Sequence, residues 1–328
     1  MMTSYQKNNN SLHGKKVLLT GATGFIGSHL ARKLVDSGCR VTILARHSSD
    51  FWRIQDILSK IEIINADLND LDPEKIQPSL SGTQIIFHLG AAGVDQNKQD
   101  APAMIQTNIM GTLAMLRLAQ MLKSERFIYC GSCFEYGQGN LLAENTPPNP
   151  SSEYGASKAS AWILVNTFHQ KYNLPVVTLR PFTAYGPFEA SYRLVPHVIN
   201  SIIGGKDIKL TGGEQKRDFV FIGDVAEGFC AAAAFPGIEG ETFNLTTGQA
   251  VSIKEVVATI IELTGSRARP LFGALPYRAS ELWMQSGDPS KAKNKLGWSA
   301  QTILRDGLEK TISWFKENRI KYPAYTEK

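Results

Sequence analysis

The sequence predicts an α/β fold, a doubly wound parallel sheet with a smaller C-terminal lobe, and three observations carry that expectation. Short apolar runs alternate with helical patterns through the first half, a glycine-rich turn joins the first run to the first helix, and the alternation breaks after Arg180. The runs at 16–20, 41–45, 61–66, 85–89, 127–130 and 176–179 read as strands, with helices near 26–36, 103–123 and 154–172 between them. Near-continuous Val, Ile and Leu in those runs fit strands buried on both faces, as in a parallel sheet covered by helices. Beyond Arg180, Pro181, Gly186, Pro187 and Pro196 punctuate the chain, and helices follow near 194–203, 225–234, 253–263 and 303–317. This divides the chain into a polar, Asn-rich tail over 1–13, expected to be disordered, a core over 14–180 with part of 219–247, and a lobe over 181–218 and 248–320. No Gly/Ser linker separates the two parts, so they are expected to share an interface.

Composition narrows the function classes. The chain of 328 residues is 43% hydrophobic and 20% charged, ordinary for a globular protein, and no run approaches the roughly 18 apolar residues of a membrane helix. A soluble, cytoplasmic protein without a membrane partner is expected. The formal charge of +5 is scattered, with no basic block, so a small anionic ligand is expected rather than nucleic acid. Cys130 and Cys133 form one CxxC without a second pair or a nearby His, which argues against a zinc or redox site; no metal is expected.

The first run leads directly into Gly21-Ala22-Thr23-Gly24-Phe25-Ile26-Gly27 and then a helix. Glycines at such a strand-to-helix turn let backbone N–H groups approach a pyrophosphate at the helix N-terminus, where the dipole favours an anion. The core is therefore expected to be Rossmann-like, with Gly21, Thr23, Gly24, Phe25, Ile26 and Gly27 against a dinucleotide. An acid at the end of the second strand would bind the adenosine ribose of NAD, but Ala45 stands there and Arg46, His47, Ser48 and Ser49 follow. Arg46 suits the 2′-phosphate of NADP, which is the expected cofactor, with NAD as the alternative. Asp67 is a candidate for the adenine edge, and Leu68, Leu89 and Ala91 are further cofactor candidates.

Tyr154 and Lys158 lie four apart in a helical segment and project from one face. An ammonium beside a phenol is expected to bring its pKa toward the working range of an acid/base. Ser132 follows the fifth strand, at the sheet edge where ligands bind in such folds.

These segments, with His88-Leu89-Gly90-Ala91-Ala92, Asn108 and the stretch 132–137, resemble the extended short-chain dehydrogenase/reductases. Residues 180–187, Arg217-Asp218-Phe219, the stretch 288–292 and Leu296-Gly297-Trp298 resemble the nucleotide-sugar epimerase/dehydratase branch. The resemblance implies that Tyr154 is the acid/base, that Lys158 is its partner and a ligand of the nicotinamide ribose, and that Ser132 donates to the reacting oxygen. It places Arg217 and Arg278 on a substrate diphosphate, Thr183 and Cys133 at the substrate, and Asn108 as a brace. Cys133 and Phe134 stand where the 4,6-dehydratases carry an acidic pair, which disfavours a dehydratase, and Thr183 replaces the usual asparagine. The expected activity is NADP-dependent reduction of a 4-keto(-6-deoxy) nucleotide sugar; the alternatives are an NAD-dependent 4-epimerase and a non-catalytic dinucleotide-binding sensor or scaffold. A homodimer is expected through the helices near 103–123 and 154–172, which carry more apolar residues than one buried face uses.

Overall fold

The computed structural model describes residues 12–95 and 100–326. Seven parallel strands form the central sheet: β1 (Lys16–Thr20), β2 (Arg40–Ala45), β3 (Ile61–Asn65), β4 (Ile85–His88), β5 (Arg126–Cys130), β7 (Val176–Pro181) and β11 (Thr242–Leu245). Their spatial order is β11-β7-β5-β4-β1-β2-β3. Strand order reverses between β1 and β4, and such a switch point opens a crevice at the C-terminal sheet edge. The β1/β4 register, from Val17 opposite Ile85 to Thr20 opposite His88, brings both strand ends to that edge together.

Alternation along the strands splits the core. Leu18, Ile86, Phe127 and Val176 face one layer, packing with Met115, Leu116, Ala161 and Val165; Val17, Leu19, Ile43, Phe87 and Ile128 face the other, against Leu30, Leu34 and Phe229. The first layer is made by α2 (Gly111–Leu122) and α3 (Glu153–Tyr172), the second by α1 (Phe25–Asp36) and α5 (Ile222–Ala234). Helices on both faces explain why the inner strands lack polar alternation; β3, expected to be buried like the others, is an edge strand with no buried residue.

The expected helix over 103–123 is interrupted. A single α-turn at Ala101–Met104 passes into a π-helical stretch, Ile105–Met110, before α2 begins at Gly111. Such stretches re-aim side chains, and this one turns Asn108 inward, where it is 1% exposed.

Outside the central sheet the chain holds more strands than the helical reading anticipated, one of them within the 14–180 segment expected to be core. β6 (Gly139–Leu142), β8 (Thr183–Tyr185), β10 (Lys216–Phe221), β12 (Ala250–Ser252) and β14 (Met284–Gly287) form a second sheet, and β9 (Ile208–Lys209) pairs with β13 (Pro270–Leu271). Around them pack α4 (Leu194–Ile203), α6 (Ile253–Thr264) and α7 (Leu304–Asn318), sharing a core of Val198, Ile199, Val256, Ile260, Leu308 and Phe315. Phe182 alone separates β7 of the large sheet from β8 of the small one, so the lobe is stitched to the core by continuous strands. Residues 1–11 of the expected tail lie outside the described residues; Leu12 is buried, and its carbonyl accepts the Cys39 thiol at 3.3 Å. Among the described residues no helix is long and apolar enough to cross a membrane.

Candidate active site

Every catalytic, cofactor and substrate candidate named from the sequence lines one cavity of about 990 Å³, running from the glycine-rich turn to the lobe, while Asn108, the expected brace, lies behind its wall. At its first end β1 delivers Gly21 with φ of +74°, a left-handed conformation; a Cβ there would meet the Leu89 carbonyl carbon at 2.7 Å. A Cβ on Gly27 would lie 2.0 Å from the Gly21 oxygen, so this turn accepts nothing larger than glycine at either position. The N-terminus of α1 at Gly24 has neither a side-chain cap nor an acidic residue in its first turn. An uncapped helix N-terminus opening on a cavity suits an anion, so Gly21, Thr23, Gly24, Phe25, Ile26 and Gly27 fit a dinucleotide pyrophosphate.

Along the same wall Ala45 ends β2 and Arg46 begins an exposed turn. That turn is closed by Arg46 N–H donating to Ser49 Oγ and Ser49 N–H donating to the Arg46 carbonyl, both at 3.0 Å. The Arg46 guanidinium makes no ion pair among the described residues. Asp67, Leu68, Leu89 and Ala91 continue the wall, Asp67 accepting the Asn69 N–H at 3.0 Å. Arg53, which the sequence did not single out, joins them and donates to the carbonyls of Phe188 at 2.9 Å and Thr23 at 3.4 Å, tying the glycine turn to the loop after β8.

Ser132, Tyr154 and Lys158 meet in the middle. Ser132 caps a 3-10 turn, Cys133–Glu135, its Oγ accepting the Phe134 N–H at 3.2 Å. Tyr154 lies in the first turn of α3, edge-on to Phe134 with ring centroids 6.0 Å apart. Asn108 braces both sides: its Oδ1 accepts Ala92 N–H at 2.7 Å, and its Nδ2 donates to the Ala92 carbonyl at 3.1 Å and to Ser157 Oγ at 2.8 Å.

The electrostatics depart from the sequence expectation. Burial pushes the Tyr154 phenol above the ordinary tyrosine range and Cys130 adds to this, while a hydrogen bond from Ser132 works the other way. Lys158, one turn along the helix and 3% exposed, lies with its Nζ 4.3 Å from the Tyr129 ring centroid. Burial pulls its pKa down, with Cys130 and Glu135 opposing. Helical spacing puts both side chains on one face of the cavity, and the ammonium lies against an aromatic ring there. His88, in contrast, is purely internal: it bridges Thr20 Oγ1 at 2.8 Å and Thr112 Oγ1 at 3.0 Å, and burial holds its pKa down to about 3.

Thr183, Arg217, Arg278 and Cys133 line the far end. Arg217 on β10 donates to Glu281 at 2.7 Å and to the Lys216 carbonyl at 2.9 Å. Arg278 is exposed on the same wall, on the loop that carries Glu281; burial lowers the Arg217 pKa, with Glu281 opposing and Arg278 adding to the lowering. Cys133 is 2% exposed, its thiol donating to Gln285 Oε1 at 3.3 Å, and burial pushes it up to about 12; it is no thiolate base. Glu189 and Arg193, also missed from sequence, share this end, 3.6 Å apart. Among the described residues no group of three or more His, Cys, Asp or Glu could hold a metal ion.

Known proteins share this architecture. The NAD dependent epimerase/dehydratase family matches residues 17–246. A UDP-glucose 4-epimerase of Mycolicibacterium smegmatis is 29% identical over 314 residues, covering 92% of this chain and 98% of that one. The solved UDP-glucose 4-epimerase of Thermotoga maritima, with UDP-glucose bound, superposes with a TM-score of 0.85 at 27% identity over 92% of this chain and 99% of its own. A dTDP-glucose 4,6-dehydratase of Streptomyces venezuelae, solved with NAD, reaches a TM-score of 0.85 at 25% identity over 94% and 99%. The glycine turn at the switch point, the serine, tyrosine and lysine beside it, and these likenesses along nearly the whole chain lead to one conclusion: the protein belongs to the NAD dependent epimerase/dehydratase family of extended short-chain dehydrogenase/reductases.

Proposed function

We propose that the protein reduces a nucleotide-activated 4-keto(-6-deoxy) sugar with NADPH. The observation that carries this reading is the single cavity in which the glycine turn, Ser132 with Tyr154 and Lys158, and the Arg217–Arg278 pair follow one another. A nicotinamide cofactor, when bound, supplies the hydride to the sugar carbon. The protein's own groups do the rest. Tyr154, kept as a neutral phenol by burial, is in the state from which a proton can be given to the ketone oxygen. Ser132 donates to that same oxygen, and Lys158 holds the ribose at the floor of the cavity. Arg217 and Arg278 grip the diphosphate, with Thr183 and Cys133 shaping the sugar's wall.

Dehydration is poorly served. Cys133 and Phe134 offer no acid beside Ser132, and the nearest carboxyl, Glu135, is fully buried and paired with Arg180. Arg46 beyond Ala45, with Ser49 next to it, supports NADP over NAD. A second reading, an NAD-dependent 4-epimerase, draws support from the likeness to the UDP-glucose 4-epimerases of M. smegmatis and T. maritima. We further read the enzyme as a cytoplasmic homodimer, because Ile105, Met110, Met121 and Ile163 expose apolar surface on and beside α2 and α3. Light scattering at micromolar concentration tests this, a monomeric mass being the contrary result. The activity is tested by following NADPH absorbance with a panel of 4-keto-6-deoxy and 4-hydroxy nucleotide sugars. Consumption with the ketones is expected; interconversion of the 4-hydroxy epimers without consumption would favour the second reading.

A further inference from the structure

Beneath the loop that carries Ser132 lies an ion pair that no step above uses. Glu135 and Arg180 are both 0% exposed. The Glu135 carboxylate is shared: Oε1 accepts the Ser132 N–H at 2.7 Å, and Oε2 accepts Arg180 Nε at 2.7 Å. Arg180, on β7, is clamped between the rings of Tyr136 and Trp162, at 4.4 and 4.5 Å from their centroids. Gly131 makes the approach possible, because a Cβ there would meet Glu135 Oε1 at 2.7 Å and Arg180 Cγ at 3.0 Å. On its other side the loop presses against Tyr154: a Cβ on Gly155 would lie 2.5 Å from the Phe134 carbonyl oxygen. A continuous chain of contacts thus runs from Arg180 through Glu135 to Ser132 and the Tyr154 helix.

A buried ion pair is a poor way to stabilise a core, since desolvating both charges cancels most of their attraction and apolar residues of similar volume often serve as well. A carboxylate does offer something a leucine lacks, a strong, directional acceptor for one backbone N–H. Here that N–H belongs to the serine of the site, and misplacing a reacting group by about 1 Å can cost on the order of 100-fold in rate. We propose that Glu135 is a positioning residue: with Arg180 as its counter-charge it fixes the Ser132 backbone, and so aims the Ser132 hydroxyl at the oxygen that reacts beside Tyr154. The proposal rests on the reading that Ser132 and Tyr154 act together on a substrate oxygen.

The test uses two paired variants of the full chain, one single variant and one control. Glu135→Leu with Arg180→Met removes both charges and the acceptor; Glu135→Gln with Arg180→Met returns an uncharged acceptor; Ser132→Ala reports what the serine itself is worth. The readouts are kcat and KM for NADPH oxidation, and hydrogen exchange at the Ser132 amide by NMR. The Leu/Met pair is expected to lose about 10- to 100-fold in kcat with the NADPH KM little changed, and to exchange Ser132 faster. The Gln/Met pair should recover most of both, a rescue that a merely space-filling role would not produce. Glu135→Asp keeps the charge for Arg180 but withdraws the carboxylate by one methylene, and it gives the same two readouts should the apolar pair not fold. A folded Leu/Met or Asp variant with wild-type kcat and wild-type Ser132 exchange would overturn the proposal. If Ser132→Ala turns over like the wild type, or no sugar is reduced, while exchange still rises in the Leu/Met pair, the functional reading fails and the positioning of Ser132 stands.

Discussion

At one end of the cavity seven consecutive residues, Gly21 to Gly27, supply both the turn and the helix N-terminus; at the other, Thr183, Arg193, Arg217, Arg278 and Glu281 arrive from a short strand, a helix cap, a second strand and a loop. The first end is dictated by backbone geometry, since Gly21 and Gly27 have no room for a Cβ. The second depends on side chains brought together by the lobe, and its principal cation, Arg217, is held by an acid from another segment, Glu281. A cofactor site made of backbone tolerates few solutions; a substrate site made of side chains can be re-specified one residue at a time. The middle, where Ser132 and Tyr154 meet, should then be the most sensitive to chemistry, and the two ends should fail separately.

The largest effect is expected in the middle. Tyr154→Phe keeps the ring and its edge contact with Phe134 but removes the proposed proton donor, so turnover should fall by at least about 100-fold with NADPH affinity little changed. Steady-state kinetics with direct cofactor titration check this; a near wild-type rate would redirect the proton to Cys133 or to a water held by Ser132. At the far end, Arg217→Ala should weaken nucleoside diphosphate binding by about 1.5–3 kcal/mol, the range for a lost charged hydrogen bond, and leave NADPH affinity unchanged. Calorimetry with both ligands decides it, and parallel losses would mean that the ends are coupled. At the near end, Arg46→Ala should cost NADPH about 1–3 kcal/mol and NADH almost nothing. Equal losses for the two cofactors would remove the basis for NADP.

The smallest effect concerns the fold. Burial pushes the Glu189 carboxyl up to about 7, with Arg193 opposing, so its folded pKa lies above that of an unfolded glutamate. Stability from the protonated form is then full below about pH 4.5 and is lost as the pH rises through about 7. Glu189→Gln should therefore melt a few degrees higher than the wild type near pH 8 and together with it near pH 4.5. Melts that run together at both pH values would show that this acid costs the substrate end nothing.

The contrast between the ends also explains what the sequence makes legible. Gly21 to Gly27, Ser132, Tyr154 and Lys158 are readable because each sits at a strand end or at helical spacing, where local pattern fixes direction. β10 and β14 are not: Lys216–Phe221 and Met284–Gly287 carry polar residues and become strands by pairing with distant segments, β10 with β8, β12 and β14, and β14 also with β6. Asn108 hides a π-helical turn because its amide is committed to Ala92 and Ser157, contacts that no periodicity encodes. The Ser132-to-Glu135 spacing is a capping-box signature visible in the sequence, yet its partner Arg180 lies 45 residues away. The Tyr154 phenol runs against the spacing argument for the same reason: spacing tells which side chains share a face, and burial decides which proton is held.

Reduction at a sugar carbon with NADPH can be followed atom by atom with an isotope. Wild-type protein is incubated with NADPH carrying deuterium at the transferable position and with a 4-keto-6-deoxy nucleotide sugar, and the released sugar is examined by NMR. One deuterium is expected on the newly formed carbinol carbon for each NADP⁺ produced. Unlabelled sugar and unconsumed NADPH, with 4-hydroxy nucleotide sugars interconverted by the same preparation, would contradict it.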